Sequence, residues 1–536
     1  SDFHITYKEY KYNMKTPILR IIPLKRPLKR TYCECAGSAN RVGLVLGTYQ
    51  NECAETSAEV KFTATGSKLN EETGGKLKEL VSGAGIRKGI ARVFTNVSND
   101  FAAIAVGGLG PEGVGWNDLE ILDECKENIR IATAHATRAL QDDGLNSVFV
   151  EPFTNAEAAA ESAHLAVWRY QDLKNKRHQL PKPRLDLFGD SDKEGWERGK
   201  LKGENQNFAR KLEDTPANLM TPTLFAETAV ETLCPCGVAV DVRDRDWIEN
   251  KKMTPFLTLA KGSCEAPLFL EVGYCGGPPE AQPLVFTGKG ITFDSGGLCL
   301  KKCENMSEYR ADLAGAAVIL ATMKTAAQMA LPINIIGLIP LCENMPGGLA
   351  VKPGDVVLAS NGKSIAIEDP DNEGRIILVD ALIYSEFHKP CAVISLSTLT
   401  PGIRRNLGTS STGVFSTSND IWRELERAGG ETGDRLWRFP LWKIYKSRIS
   451  TDFLNVDTHN VGKNGTQGAV CKAAAFCLEF VTAKDFVHLD ITGTGMLSNG
   501  VGHPYLREGT MSGRPTRTLV QFLYQIACPH SRGDEC

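Results

Sequence analysis

Between residues 284 and 380 the chain sets charged side chains into sequence that is otherwise apolar enough for a buried core. One stretch reads Gly288-Lys289-Gly290-Ile291-Thr292-Phe293-Asp294-Ser295-Gly296-Gly297, continues to Lys301 and reaches Arg310-Ala311-Asp312. The other reads Asp371-Asn372-Glu373-Gly374-Arg375. Three aspartates and a glutamate cannot be buried there unpaired, because each isolated charge taken out of water costs several kcal/mol. A fold that buries them must bring opposite charge with them. Divalent cations do this most compactly.

The local patterns say how the groups could meet. Asp294 follows an apolar run and precedes Ser295-Gly296-Gly297, a turn that lets backbone approach an ion closely. Asp312 is expected to open a helix, whose positive end suits an anionic side chain. Asp371 and Glu373 stand two apart, so an extended segment would point both side chains the same way. Carboxylates on separate connections then converge at the carboxyl edge of an α/β sheet. Two cations about 3.5–4 Å apart that share carboxylates form a common hydrolytic device. In such a device Lys289 could be a ligand only as the neutral amine, with its pKa strongly depressed beside metal. Lys301, kept protonated, could stabilise an oxyanion. Taken singly, each residue has a plainer reading as a helix cap or a surface cation. Their joint placement around apolar strands favours a metal site.

The 536 residues suggest two domains, each long enough to bury its own core. Residues 1–39 form a basic extension, and within 1–31 eight Lys and Arg from Lys8 to Arg30 stand against Asp2 and Glu9. Such a leader fits mitochondrial import as well as it fits a solvated arm. Residues 40–190 alternate short apolar strands (42–47 and 102–106) with amphipathic helices (118–140 and 155–170), a smaller N-terminal α/β domain. A linker helix is expected over 191–214. Residues 215–536 then carry strands at 284–287, 333–341, 392–397 and 487–491, with helices at 311–329, 374–387 and 468–481 between them. This reads as a larger C-terminal α/β catalytic domain whose central mixed sheet is flanked by helices. Gly108-Leu109-Gly110-Pro111-Glu112-Gly113 matches the dinucleotide glycine pattern, but Pro111 stands where an apolar helix start is needed, so cofactor binding is not expected there.

A net charge of −3 and the lack of a basic stripe point away from nucleic acid. No apolar run approaches the roughly 20 residues that span a bilayer. The 16 cysteines are scattered, with Cys33/Cys35 and Cys234/Cys236 as C-x-C pairs, and no C-x-x-C occurs. They read as reduced thiols of an intracellular protein. The glycosylation patterns at Asn96, Asn305 and Asn464 do not alter this, since that at Asn305 lies inside the proposed site.

Residues 284–380 closely resemble the leucyl aminopeptidase (cytosol aminopeptidase) family in GKGITFDSGG, RAD, LPINIIGL, PLCENMPGG, KPGDVV and DNEGR. The similarity extends to NFARKLEDTPANLMTP (207–222), ETGDR (431–435) and GRPTR (513–517), and so spans roughly 205–525. The resemblance implies two metal ions, zinc or manganese. One would be held by Lys289, Asp294, Asp312 and Glu373, the other by Asp294, Asp371 and Glu373. It makes Lys301 the electrophilic lysine and Arg375 the holder of a bicarbonate general base. It also implies peptide substrates cut at their N-terminal residue, and a homohexamer located in cytoplasm or mitochondrion.

The chain departs from that family around the metals. The family's TLTG loop reads Thr398-Leu399-Thr400-Pro401, and the proline removes an N–H. Tyr309 stands for a pocket methionine, Thr492 for an alanine, Ala314 for a glycine, and Asp369-Pro370-Asp371-Asn372 for the family's Asn-Thr-Asp-Ala. The implied ligands are all spared while the substrate pocket (Tyr309, Thr398, Leu399, Pro401, Thr492) is altered. One expectation is an aminopeptidase with changed preference. The alternative resembles the insect sperm leucyl aminopeptidases, weakly active or inactive paralogues whose hexamers pack into paracrystalline material in sperm mitochondria.

Overall fold

The structure is a computed structural model that describes residues 41–50, 60–450, 456–462, 467–497 and 503–528. The basic extension, Cys33/Cys35 and the pattern at Asn464 lie outside the described residues. Two α/β units follow one another, as the apolar runs predict.

In the first, the apolar strand Val42–Tyr49 lies buried between Ala103–Gly110 and Ser147–Val150, both parallel to it. Ala91–Thr95 pairs antiparallel beyond the first neighbour, and Arg184–Leu187 pairs parallel beyond the second. The helix expected from 118 begins at Glu124, where Asp123 caps it by accepting from Lys126 N and two glutamates fill the first turn. The delay has a local cause. Asn117 Oδ1 accepts from the amides of Leu119 and Glu120, and the resulting turn joins strands Trp116–Asn117 and Leu122–Asp123 in a hairpin. Of the glycines in the dinucleotide-like pattern, Gly108 answers to packing: a Cβ on it would lie 2.2 Å from Arg87 O. After Gly110 the chain enters the hairpin, so no helix N-terminus follows the glycines.

The second unit holds a nine-stranded sheet. Its parallel centre runs Phe486–Asp490, Ala392–Ser397, Leu284–Gly288, Asn334–Asn344. Leu268–Cys275 and Thr412–Ser416 add antiparallel strands on either side, so the sheet is mixed as expected. Near-continuous apolar runs are what a sheet covered on both faces requires. Leu284 and Phe286 face a core shared with the helices Ala314–Gln328 and Thr516–Ala527. Val285 and Val393 face the helices Glu373–Tyr384 and Ala469–Leu478. The twelve cysteines among the described residues are free thiols, Cys234 and Cys236 included.

The helix Lys193–Asp214 joins the units, and a buried ion network locks them together. Glu161 accepts from Arg130 Nε and Arg517 Nη1, both at 2.9 Å, with Lys202 Nζ 3.7 Å away. Arg517 also donates to Gln206 Oε1 at 2.8 Å and Thr432 O at 3.0 Å. Burial alone would raise the Glu161 pKa, but Arg130, Arg517 and Lys202 hold it down at about 2. Removing one member strands the others in the interior. Glu161→Ala should therefore cost ~3–5 kcal/mol in equilibrium denaturation.

Glu151 is the opposite case. It is buried against Gly47 N and the Thr63 hydroxyl, and burial raises its pKa to about 7. The folded state thus holds a proton that the unfolded chain has released above the usual glutamate range. Stability should fall as pH rises from about 4.5 to 7, by roughly 3 kcal/mol from this group. Glu151→Gln should flatten that segment of the stability profile.

Candidate metal centre

The sheet and its loops bring the predicted acids together. Lys289 lies at a break between strands. Leu284–Gly288 pairs with Ala392–Ser397, whereas Gly290–Asp294 pairs with the far end of Asn334–Asn344. Asp294 closes the second strand, and its Oδ1 accepts from Gly296 N and from Asn344 Nδ2, both at 2.8 Å. Gly296 has φ +87, and a Cβ there would stand 2.8 Å from Asp371 Oδ1. Only glycine fits that backbone beside the second acid.

Two local expectations are corrected. Asp312 does not open the helix. A 3-10 segment, Met306–Ala311, closes on it through Asp312 N and Tyr309 O, and the helix starts at Ala314. The side chain is set by partners instead: Asp312 Oδ2 lies 2.7 Å from Lys289 Nζ, and Oδ1 accepts from Thr398 Oγ1 at 2.7 Å. Nor do Asp371 and Glu373 share an extended segment. Pro370–Asn372 is a 3-10 turn, initiated by the proline and by Asp369 accepting from Asp371 N at 2.9 Å. Glu373 is the first residue of the following helix. The turn, not strand alternation, points both carboxylates inward.

Ligand atoms of Asp294, Asp371 and Glu373 all lie within 4.8 Å of one another. Lys289 Nζ bridges Asp312 and Glu373 Oε1 at 2.7 and 2.5 Å. Lys301 Nζ lies 2.7 Å from Asp294 Oδ2 and pairs with Asp371 as well. Lys289, Asp294, Asp312 and Glu373 are buried, while the Asp371 side chain is 37% exposed and opens the cluster to solvent.

Four carboxylates thus face two ammonium groups. Burial, and then repulsion from Glu373, raises the Asp294 pKa to about 7. Burial, with Asp312 nearby, raises Glu373 to about 7 as well. Against burial, Asp312, Glu373 and Asp294 hold Lys289 above the usual lysine range. Service as an amine ligand would therefore require a cation to take the proton's place between those carboxylates. The donor set fits such a cation. Glu373 Oε2 is buried without a hydrogen-bond partner, and hard oxygen donors predominate.

The other expected residues lie around this core. The Tyr309 ring covers Lys301, with Nζ 4.0 Å from its centroid. The backbone carbonyl of Thr398 accepts from Lys289 Nζ at 3.0 Å. A Cβ on Gly374 would lie 3.1 Å from Leu399 Cδ1 and 2.9 Å from Lys289 Nζ, so the helix start must be bare. Pro401 is exposed and begins the helix Pro401–Leu407, a position where a backbone N–H has no intrahelical acceptor. Thr492 Oγ1 accepts from Thr400 N at 3.0 Å. Arg375 makes no ion pair with the carboxylates. Its guanidinium donates to Asn460 O, and its Nε is buried without a partner.

Asn344, Asn460 and Asp490 escaped the sequence reading. Asn344 Nδ2 also donates to Pro370 O at 3.1 Å, tying the two acidic loops together. Its signal was the polar pair Glu343-Asn344 closing the apolar strand 334–344. Asn460 accepts from Glu368 N at 3.0 Å and donates to Asp369 O at 2.7 Å. Nothing in its sequence neighbourhood marks it.

A family model described as the cytosol aminopeptidase family catalytic domain matches residues 207–520, and one described as that family's N-terminal domain matches 45–177. The cytosol aminopeptidase of Bos taurus is 47% identical over 490 residues, covering 90% of this chain and 93% of that protein. That of Dictyostelium discoideum is 37% identical over 497 residues, covering 90% and 92%. Among solved structures, the bottromycin maturation enzyme BotP in complex with Mn superposes with a TM-score of 0.76. It is 25% identical, and the match covers 91% of this chain and all of that one. The chain therefore belongs to the cytosol aminopeptidase family.

Proposed function

We propose that the protein is a two-metal aminopeptidase that releases N-terminal residues from peptides. The observation that carries this reading is the convergence of Asp294, Asp371 and Glu373 within 4.8 Å, beside two lysines and a buried, unpartnered glutamate oxygen. Lys289, Asp294, Asp312 and Glu373 would hold one cation, and Asp294, Asp371 and Glu373 the other. Zinc and manganese both suit these donors, and the manganese complex of BotP supports the second. Bound cations would supply Lewis acidity and a water acidified toward neutral pH.

The chain's own groups do the rest. Lys301 stays protonated among Asp294, Asp371 and the Tyr309 ring, and offers its ammonium to an oxyanion developing at the scissile carbonyl. Arg375 keeps a buried Nε for a small anion such as bicarbonate, which would serve as the general base. Tyr309, Thr398, Leu399, Pro401 and Thr492 shape the substrate pocket. The exposed Trp437, Trp442 and Ile444 give an apolar surface suited to subunit contacts, in keeping with a homohexamer. Free thiols and relatives named for the cytosol suit an intracellular location, cytoplasmic or mitochondrial.

The ring of Tyr309 over Lys301 favours a second reading, in which the centre binds metal but the pocket turns over slowly and the hexamers serve as building blocks of a larger assembly. Purified protein loaded with Mn²⁺ or Zn²⁺ separates the two. Hydrolysis of leucinamide and leucyl dipeptides is the expected result, whereas metal binding with no turnover across a broad amino-acid panel would leave only the second reading.

Two variants probe the assignments. Asp294→Ala should abolish binding of both cations in a calorimetric titration, because one carboxylate serves each. Lys301→Met should retain them and lower kcat by about 10²–10³.

A further inference from the structure

The cluster is supported from behind by a polar network that no ligand assignment uses. Thr398 touches it twice, donating its hydroxyl to Asp312 Oδ1 at 2.7 Å and accepting from Lys289 Nζ at 3.0 Å through its carbonyl. What holds Thr398 in place comes from the neighbouring strand and its end. Leu399 N donates to Asp490 Oδ1 at 3.3 Å, and Thr400 Oγ1 donates to Asp490 Oδ2 at 2.5 Å. Thr492 donates its hydroxyl and its N–H to Asp490 Oδ1, at 2.6 and 3.1 Å. The same hydroxyl oxygen accepts from Thr400 N at 3.0 Å.

Four hydrogen bonds therefore converge on one buried carboxylate, and three of the four loop residues 398–401 are fastened through side chains or amides. The Thr492 hydroxyl is the joint of this arrangement, since it donates to Asp490 and accepts from the loop. Loss of a partner that orients a metal ligand typically costs 10–100-fold in metal affinity.

We propose that Asp490 and Thr492 form a positioning node which sets Thr398 against Asp312 and Lys289, and thereby tunes the affinity of the centre for a divalent cation. The proposal rests on the metal reading of the site. It assigns Thr492 a role beyond filling the pocket: its hydroxyl holds the loop that aims Asp312. Valine keeps the shape of Thr492 but leaves the Thr400 N–H and one Asp490 lone pair unpaired in the interior.

The test is a calorimetric titration of the full chain with Mn²⁺ alone, for the parent, Thr492→Val, Thr492→Ser and Thr398→Val. Thr492→Val should weaken Mn²⁺ about tenfold or more, Thr398→Val at least as much, and Thr492→Ser should keep the parental affinity. Amide hydrogen exchange supplies a readout independent of turnover. The Leu399 and Thr400 amides should exchange faster in Thr492→Val while strand Ala392–Ser397 stays protected. Parental Mn²⁺ affinity or unaltered exchange in Thr492→Val overturns the proposal. Should that variant fail to fold, parental affinity in Thr398→Val overturns it equally. A parent that binds Mn²⁺ yet cleaves no peptide rejects the peptidase reading and leaves these comparisons standing.

Discussion

Lys289 and Lys301 stand among four carboxylates, three of them taken out of water by the fold, and this balance of charge governs everything built around it. Neither lysine could be buried alone, and neither could the acids, because the loss of hydration exceeds what any one contact returns. Together they still leave more negative than positive charge. Burial and mutual repulsion accordingly hold Asp294 and Glu373 near pH 7, well above ordinary carboxylates. A centre with that imbalance is electrostatically prepared for added positive charge.

Holding such groups at contact distance demands a rigid frame, and the frame is assembled from several directions. Asn344 ties the Asp294 loop to the Pro370 turn. Thr398, backed by Asp490 and Thr492, reaches Asp312 and Lys289 from the next strand. Bare backbone at Gly296 and Gly374 leaves room for Asp371 and Lys289. These supports hang on the parallel strands at the sheet centre, whose ladder fixes their spacing.

The first domain supplies none of the acids, yet its attachment ends close to them. Arg310, two residues before Asp312, bonds the side chain and carbonyl of Asp214 at 3.0 and 3.3 Å, at the end of the helix that joins the domains. The same helix carries Lys202 and Gln206 into the ion network around Glu161 and Arg517. The junction is therefore polar and specific, and its hydrogen bonds reach the segment that leads into Asp312.

Much of this was legible in the chain itself. The strands at 284–287, 392–397 and 487–491 announce themselves as short apolar runs, and the acids were legible through the GKGITFDSGG, RAD and DNEGR motifs that carry them. Local conformation at the acids was not legible. Asp371 and Glu373 look alternate on paper, but Pro370 and the Asp369 cap wind them into a turn. The helix near Asp312 starts two residues late because the preceding segment closes on itself. Nor could Asn344, Asn460 or Asp490 be separated from ordinary polar residues, since a supporting hydrogen bond leaves no periodic trace. The sequence by itself determined that acids and lysines must be buried together, through the burial its apolar runs enforce. Only the tertiary structure decided which atoms meet, because residues more than a hundred positions apart, such as Lys289 and Thr398, become neighbours through strand register and loop closure, which composition does not encode.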